Sequence, residues 1–405
     1  MQHANLPEFP IHGAVKPGFE RVAEAFEENF SNDIDVGAGF CVYQGDHTLV
    51  DLWGGYTDRN CSEAWKEDTL VNVYSTTKGL ASLVVAMAVE AGYLDYDAPV
   101  SAYWPKLKAG RAGLTVGQLL SHQGGLCGVE TPLQVADLYN WDLMISLLEE
   151  QEPLWKPGSV AGYHAITWGY LAGELVNRTL GKQVASATGL DQKLTLGQIF
   201  ADKVALPLNA EVYIGLPEEK MSRVADMISP KQARQVPGMK VDNLATMEPS
   251  HWYKLSLMNP LIGPYRDVST TAWRCAEIPA ANGHATAKGI ARVYAGLASG
   301  GKFRGERIIG LDAIVSATKE EVGTVKDAVL QRPVRRGRGF ILNTDSAYGP
   351  NSSAFGHSGA GGSLGFSDPV NNIGFGYVMN QMQGETSSDE VTRAGRLVHA
   401  LYSCL

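Results

Sequence analysis

Residues 73–91 carry the sequence VYSTTKGLASLVVAMAVEA, and this stretch decides the predicted fold. From Lys78 to Ala91 the segment is apolar on nearly every side, and a helix without a polar face belongs in the interior of a protein. Gly92 follows directly and is placed to end the helix. Ser75 then falls in its first turn, and Lys78 lies one turn later on the same face. The segment predicts a central buried helix with a hydroxyl and an ammonium group in contact at its start.

The spacing of Ser75 and Lys78 has two interpretations. Ser75 is either a helix cap or a nucleophile, because unpaired N–H groups and a partial positive charge at a helix N-terminus stabilise an oxyanion beside it. A lysine at the start of so apolar a helix is buried, and a buried cation is costly without a partner. This cost favours the functional interpretation.

Strand-forming segments lie on both sides of this helix. Upstream they cover 38–43 and 48–53, joined by a loop that contains Gly45, and an amphipathic helix precedes them. Downstream, segments rich in β-formers and glycine are followed by a closing helix at 387–402. The downstream strand segments are 339–342, 354–357, 362–366 and 373–380.

Between these two groups the chain is mostly helices and long loops. The predicted helices are 116–120, 141–150, 168–178, 196–204 and 286–299. Strands at both ends that enclose helices predict an α/β (α+β) domain built from both termini, with a mostly helical domain inserted. We assign 1–80 and 300–405 to the α/β domain and 81–299 to the helical domain, and leave open whether part of 160–220 packs on the former.

Two further motifs accompany the serine and the lysine. The sequence contains neither Ser-Asp-Asn nor Lys-Thr-Gly, which accompany Ser-x-x-Lys in class A β-lactamases and penicillin-binding proteins. In their place, Tyr163 lies on a loop just before the helical run at 168–178, and His357-Ser358-Gly359 lies where the strands return.

In this combination the chain resembles the class C β-lactamase and penicillin-binding-protein-like serine hydrolases, and within them the family VIII carboxylesterases. The resemblance extends to 51–55, 119–126 and 354–369 and covers most of the chain. It implies a β-lactamase-like fold with an antiparallel sheet flanked by helices.

The resemblance also implies roles for individual residues. Ser75 corresponds to the nucleophile, Tyr163 to the general base and Lys78 to the partner that holds both. The N–H groups of Ser75 and Ala360 correspond to the oxyanion hole, and His357, Ser358 and Gly359 to a strand that lines the cleft. Because a tyrosine has an ordinary pKa of roughly 10, we expect the charge of Lys78 to shift Tyr163 toward tyrosinate.

The sequence departs from the β-lactamases at three positions that bind the lactam amide and carboxylate. Ala165 stands in place of an asparagine, His357 in place of a lysine, and Val129 is nearest to a glutamine. An uncharged ester needs less polar recognition, so we predict a carboxylesterase acting on a small-molecule ester. A β-lactamase, an acyltransferase, an amidase or peptidase, and a protein that acylates without turnover are the alternatives.

Several residues have competing interpretations. Gly361-Gly362-Ser363-Leu364-Gly365 matches the GxSxG elbow of α/β-hydrolases, but no helix is predicted to follow, so Ser363 is not expected to be the nucleophile. His122 and His284 are predicted to be structural. An apolar pocket draws on Met247, Trp252, Tyr253 and Met258, which are equally consistent with core packing. The cluster Arg332, Arg335, Arg336 and Arg338 is predicted to be a solvated loop without a function.

Composition limits the remaining classes of function. A net charge of −9 without basic runs argues against nucleic acid and anionic lipid as partners, and no apolar stretch is long enough for a membrane span. Scattered histidines and the absence of nucleotide-binding motifs predict no metal and no cofactor. The five separated cysteines favour reduced thiols in the cytoplasm. The oligomeric state is not predicted.

Overall fold

The computed structural model describes residues 9–32, 34–189, 193–229, 250–383 and 392–405. Its helices are α1 (Glu20–Ser31), α2 (Thr76–Glu90), α3 (Val116–Leu120), α4 (Trp141–Glu150), α5 (Thr167–Val176), α6 (Lys182–Thr188), α7 (Leu196–Phe200), α8 (His251–Leu257), α9 (Thr271–Cys275), α10 (Ala287–Ala298), α11 (Leu311–Thr318) and α12 (Arg393–Tyr402). Short 3₁₀ or π turns cover Val100–Ala102, Lys108–Ala112, Val135–Tyr139, Asn177–Gly181, Ala201–Ala205 and Glu218–Arg223.

The strands form one large sheet and two small ones. They are β1 (Ile11–Val15), β2 (Gly37–Gln44), β3 (His47–Gly55), β4 (Val71–Asn72), β5 (Val212–Ile214), β6 (Gly283–Ala285), β7 (Lys302–Phe303), β8 (Glu306–Arg307), β9 (Val322–Lys326), β10 (Pro333–Arg336), β11 (Ile341–Leu342), β12 (Phe355–Ser358), β13 (Leu364–Asp368) and β14 (Ile373–Met379). The nine-stranded sheet has the order β1-β3-β2-β14-β13-β12-β11-β10-β9.

The large sheet joins the two ends of the chain. Every neighbouring pair in it is antiparallel, and β2 pairs with β14 in a register that sets Gln44 opposite Ile373. The predicted antiparallel sheet built from both termini is therefore confirmed. The loop at Gly45, where φ is +56°, closes the β2–β3 hairpin as its sequence predicts.

Helix α10 packs on the central strands of this sheet. A Cβ atom at Gly374 or Gly376 on β14 would lie only 2.1–2.2 Å from the α10 backbone, so glycine is what lets the helix approach so closely. Our sequence division assigned this helix to the helical domain at 81–299. The packing instead joins it to the sheet, because its buried alanine face fits these glycines.

Helix α2 is the predicted central helix. Twelve of its 15 residues are buried, and it contacts β12 on one side and α5, α7 and α11 on others. Gly92 ends it with a φ of +74°. None of the helices in the described parts of the chain is both long enough and apolar enough to cross a bilayer.

The prediction of a solvated arginine loop is wrong for Arg336 and Arg338. Residues 322–326 and 333–336 are strands β9 and β10 at the edge of the large sheet. Arg336 is 1% exposed and Arg338 is 3% exposed. Arg338 contacts the carboxylates of Asp97 and Glu321 at 2.5 and 2.6 Å, so charge pairing compensates for its burial.

A second buried ion pair fastens α12 to the sheet. Arg393 Nη1 lies 2.7 Å from Asp35 Oδ1, and both side chains are fully buried. The Tyr377 hydroxyl donates to Asp35 Oδ2 at 2.6 Å, and Arg393 also donates to the carbonyl of Gly361. The first turn of α12 is thereby joined to β14 and to the turn after β12.

Replacing Arg393 with methionine is expected to lower the free energy of unfolding by about 3–5 kcal/mol, because the Asp35 carboxylate stays buried without its cation. The control is Arg307→Met, because Arg307 is 57% exposed and its partner Glu90 keeps the N–H of Gly310 as a donor, and we expect a loss below about 1 kcal/mol. Urea unfolding followed by circular dichroism measures both. Equal losses in the two variants would contradict the assignment.

Candidate active site

Ser75 begins helix α2 without capping it. Its side chain makes no capping hydrogen bond, so the interpretation of Ser75 as a helix cap does not hold. The preceding Tyr74 has a φ of +44°, a strained value for a residue with a large side chain. The Ser75 hydroxyl instead makes hydrogen bonds with Lys78, one turn along α2, and with Tyr163 from a distant loop.

Lys78 is fully buried and contacts three oxygens. Its Nζ lies 3.1 Å from Ser75 Oγ, 2.7 Å from the Ala165 carbonyl and 3.0 Å from the Ala280 carbonyl. Both carbonyls accept hydrogen bonds and carry no charge. Burial lowers the pKa of Lys78 well below its ordinary value, and the nearby Arg336 lowers it further.

Tyr163 completes the contact. Its hydroxyl donates to Ser75 Oγ at 2.6 Å, and Lys78 Nζ lies 4.8 Å from the centroid of its ring. The structure thus brings Ser75, Lys78 and Tyr163 together at the start of α2. Tyr163 is 7% exposed, and burial raises its pKa to about 12 despite the hydrogen bond to Ser75.

These directions correct one expectation from the sequence. We expected Lys78 to shift Tyr163 toward tyrosinate, but the pKa of Tyr163 is raised and that of Lys78 is lowered. Both shifts have burial as their largest cause, because removal from water disfavours the charged form of either group. Burial therefore disfavours the charged form of both groups, the ammonium of Lys78 and the phenolate of Tyr163.

Two histidines and a serine hold the loop that carries Tyr163. His122 Nδ1 accepts the N–H of His164 at 3.0 Å, and His164 Nε2 accepts the N–H of Leu126 at 3.1 Å. Ser256 Oγ donates to the Tyr163 carbonyl at 2.6 Å and accepts the N–H of Ala165 at 3.0 Å. His122, predicted to be structural, therefore helps to fix this loop.

The predicted oxyanion residue Ala360 lies in the turn between β12 and β13. A Cβ atom at Gly359 would lie 2.2 Å from the Val73 carbonyl and 3.1 Å from Thr76 Oγ1, so the turn packs against the residues on either side of Ser75. Within the described residues, the N–H groups of Ser75 and Ala360 donate no hydrogen bond to another residue. The assignment of these two N–H groups to an oxyanion hole stays a prediction.

Ser363 does not lie in the strand–turn–helix segment that carries a GxSxG nucleophile. Its segment joins two strands of a hairpin, and the strand β13, not a helix, follows it. The hydroxyl is buried, donates to the Val73 carbonyl at 2.8 Å and lies 3.0 Å from Thr76 Oγ1. Ser363 therefore fastens the β12–β13 turn to the start of α2.

His357 lies on β12 beside Tyr163, with the two ring centroids 6.4 Å apart. Its Nδ1 is 2.7 Å from the carbonyl of Ser358, so the proton is on Nδ1. Burial lowers the pKa of His357 well below its ordinary value, and the ring is neutral at pH 7. The position that holds a lysine in β-lactamases is thus uncharged here. Ser358 ends β12 and is half-buried.

The other two departures from the lactamases are apolar and buried. Ala165 is 4% exposed and Val129 is 1% exposed. His284, also predicted to be structural, is fully buried on β6, where burial lowers its pKa to about 3.

An apolar cluster surrounds the Tyr163 ring. Its buried members include Cys127, Trp155 and Val329, and the half-buried Trp252, Tyr253, Leu257 and Leu330 pack against them. The ring centroids of Trp155 and Trp252 lie 4.9 Å apart. Of the residues predicted to form an apolar pocket, Trp252 and Tyr253 belong to this cluster, Met258 is 42% exposed, and Met247 lies outside the described residues.

Two charged residues near Tyr163 were missed by the sequence analysis. The carboxylate of Asp327 accepts the N–H of Tyr163 at 3.2 Å, and Arg336 Cζ lies 6.0 Å from the centroid of the Tyr163 ring. The sequence contained one indication that Arg336 is buried. Val334 and Arg336 are two residues apart, the spacing that places two side chains on the same face of a strand.

Comparison with known proteins gives one family over nearly the whole chain. The family model described as Beta-lactamase matches residues 26–400. The protein "Esterase/beta-lactamase LipL" of Mycobacterium tuberculosis is 31% identical over 380 residues, which is 92% of this chain and 83% of that protein.

Two solved structures match over nearly their whole length. The crystal structure of a family VIII carboxylesterase superposes with a TM-score of 0.87 at 42% identity, covering 98% of this chain and 100% of that chain. A novel penicillin-binding protein homologue from Caulobacter crescentus superposes with a TM-score of 0.86 at 36% identity, with the same coverage.

Proposed function

Because the chain belongs to the Beta-lactamase family and is a serine hydrolase close to the family VIII carboxylesterases, we propose that it hydrolyses carboxylic esters through an acyl-enzyme on Ser75. One observation carries this proposal. The Ser75 hydroxyl lies within hydrogen-bond distance of both the Tyr163 hydroxyl and the Lys78 amine, at 2.6 and 3.1 Å, at the N-terminus of a buried helix.

The contacts of Lys78 fit either protonation state. As an ammonium, Nζ donates to Ser75 Oγ and to the carbonyls of Ala165 and Ala280; as an uncharged amine, it donates to the two carbonyls and can accept the Ser75 O–H. Tyr163 then donates to Ser75 Oγ. Moving one proton from Tyr163 to Lys78 through Ser75 gives the alternative arrangement, an ammonium and a phenolate. Both arrangements hold the same number of protons, so the two residues titrate as a pair.

This pair performs the proton transfers of both half-reactions. As Ser75 Oγ attacks the ester carbonyl, the pair takes the serine proton, and the N–H groups of Ser75 and Ala360 stabilise the oxyanion. Tyr163 is placed beside Ser75 Oγ to pass a proton to the departing alcohol. Water then attacks the acyl-enzyme, the pair takes a proton from it, and Ser75 regains its proton as the acid leaves.

The surroundings favour an ester over a lactam. A neutral His357, Ala165 and Val129 provide neither a cation for a lactam carboxylate nor a side-chain amide for its amide group. Trp252, Tyr253 and Leu330, half-buried around Tyr163, favour a substrate with an apolar acyl or alcohol group.

A panel of substrates tests this proposal. We expect kcat/KM for p-nitrophenyl esters to exceed that for a chromogenic cephalosporin by about 100-fold or more, because the polar groups that bind the lactam are missing. Faster turnover of the cephalosporin would reverse this order of substrates. Transfer of the acyl group to an added alcohol in preference to water would identify an acyltransferase. A stoichiometric burst without turnover would identify an acylating binding protein.

Two further proposals concern the protein as a whole. No disulfide joins any of the five cysteines, all of which lie in the described residues; this supports a reducing compartment, and we propose the cytoplasm. The division into an α/β domain and a helical domain stays a prediction, with α10 now part of the former.

A further inference from the structure

A buried ion pair lies directly behind Tyr163. The Asp327 carboxylate is fully buried, and its Oδ1 accepts the N–H groups of Tyr163, Val329 and Leu330 at 3.2, 2.8 and 2.7 Å. Its Oδ2 lies 2.7 Å from Arg336 Nη2. One carboxylate therefore ties the backbone of Tyr163 to a cation on strand β10.

The guanidinium of Arg336 has few partners. Its contact with Asp327 is close but lacks the geometry of a hydrogen bond, and its Nε and Nη1 have no hydrogen-bond partner among the described residues. Its Cζ lies 6.0 Å from the centroid of the Tyr163 ring. A buried charge so incompletely compensated acts strongly on ionisable groups nearby, since little water screens it.

Arg336 is the buried permanent cation of this site. The titratable and charged groups that face Tyr163 come from several elements. They are Lys78 on α2, His122 after α3, His164 next to Tyr163 in the chain, His357 on β12, the buried Asp327 and the exposed Arg332. Burial lowers the pKa of Lys78 and of all three histidines. A guanidinium stays protonated in proteins, so Arg336 keeps its charge.

We propose that Arg336, anchored by Asp327, is a positioning residue that sets the charge state of the Lys78–Tyr163 pair and so the pH range in which Ser75 is acylated. This rests on the proposed function, in which that pair takes the serine proton. The fully protonated pair, an ammonium beside a phenol, cannot accept this proton. A fixed cation repels the extra proton and lowers the pH at which the pair loses it.

The two charges shift the pH profile of kcat/KM in opposite directions. Without the charge of Arg336 the pair keeps its extra proton to higher pH, so the acid limb, the part of the profile where kcat/KM falls as the pH decreases, moves to higher pH. Without the charge of Asp327 the limb moves down, because the cation acts unopposed. Arg336 Cζ lies 6.0 Å from the centroid of the Tyr163 ring, and an unscreened charge at this distance would move the midpoint of the limb by more than one pH unit. Because Asp327 compensates part of this charge, we expect a shift of about one pH unit.

The experiment measures kcat/KM for a p-nitrophenyl ester against pH in three variants. Arg336→Met, of similar shape, is expected to raise the midpoint of the acid limb by about one unit. Arg336→Lys places an amine beside the Asp327 carboxylate, which favours its charged form, and is expected to restore the wild-type midpoint. Asp327→Asn keeps the oxygen that accepts the three N–H groups and is expected to lower the midpoint.

Other outcomes overturn the proposal. A merely structural role would lower kcat/KM at every pH without moving the limb, or would move it equally in Arg336→Met and Arg336→Lys. If Arg336→Met does not fold, the double variant Asp327→Asn/Arg336→Met removes both charges, and its midpoint is expected to lie above the wild-type value by less than one unit. A midpoint at or below the wild-type value overturns the proposal.

Failure of the proposed function gives a separate result. Wild-type activity in Tyr163→Phe would remove Tyr163 from the reaction whatever the arginine variants show. A large loss in Tyr163→Phe beside an unmoved limb in Arg336→Met rejects only the role of Arg336.

Discussion

Ser75→Ala is expected to reduce kcat for ester hydrolysis by about 10⁴-fold or more, because no other hydroxyl contacts both Tyr163 and Lys78 among the described residues. Helix α2 loses no cap in this variant, so folding is expected to be unchanged. Hydrolysis of a p-nitrophenyl ester measures the loss. Mass spectrometry after treatment with a phosphonate ester is expected to find the adduct on Ser75 in the wild-type protein and none in the variant.

Ser363→Ala is the matched comparison, since it removes the hydroxyl of the GxSxG sequence. Loss of its hydrogen bonds to Val73 and Thr76 loosens the turn that carries Ala360, so we expect a reduction of about 10-fold with the phosphonate adduct still on Ser75. Activity that survives in Ser75→Ala and disappears in Ser363→Ala would refute the assignment of the nucleophile.

Tyr163→Phe is expected to reduce kcat by about 10²- to 10⁴-fold, the range typical of a lost general acid–base group. The variant keeps the ring, with its contacts to His122 and to the apolar cluster, and removes only the oxygen that lies 2.6 Å from Ser75 Oγ. KM is expected to change little, because the phenol acts in the transition state. Steady-state kinetics on an ester separate the two constants.

Lys78→Met is expected to cause a loss of similar size, since it keeps the apolar stem and removes the amine that contacts Ser75. Tyr93→Phe is the control for phenol removal, because Tyr93 is 41% exposed and follows the opposite end of α2. A Tyr163→Phe enzyme as active as Tyr93→Phe would leave Lys78 as the base acting alone.

The sequence predicted the elements of the fold whose hydrophobic pattern extends over many residues. Helix α2 and the β2–β3 hairpin were found from apolar runs and a glycine. Strands β4, β5 and β6 are two or three residues long, too short for any periodicity, and the small sheet that they form was missed. Strand β10 was missed because its arginines suggested solvent, while burial of Arg336 depends on its pairing with Asp327 within the β9–β10 hairpin, which no periodic pattern reveals.

The candidate site was predicted in two different ways. The contact between Ser75 and Lys78 follows from helical spacing, because side chains three positions apart lie on one helix face, and the burial of Lys78 favoured a functional role. Tyr163 lies 88 residues beyond Ser75, and only the family resemblance connected them. The protonation of the pair could not be predicted, since it depends on burial that no local pattern reveals.

The pairing of β2 with β14 has a consequence for biosynthesis. On the ribosome, the segment that ends at Gln44 emerges long before its neighbour at Ile373 has been translated. Until then one edge of β2 has no partner, although seven of its eight residues are buried in the finished protein. The nascent chain therefore exposes an aggregation-prone strand for most of its synthesis, and chaperone protection during translation matters more for this enzyme than for a protein whose sheet grows in chain order.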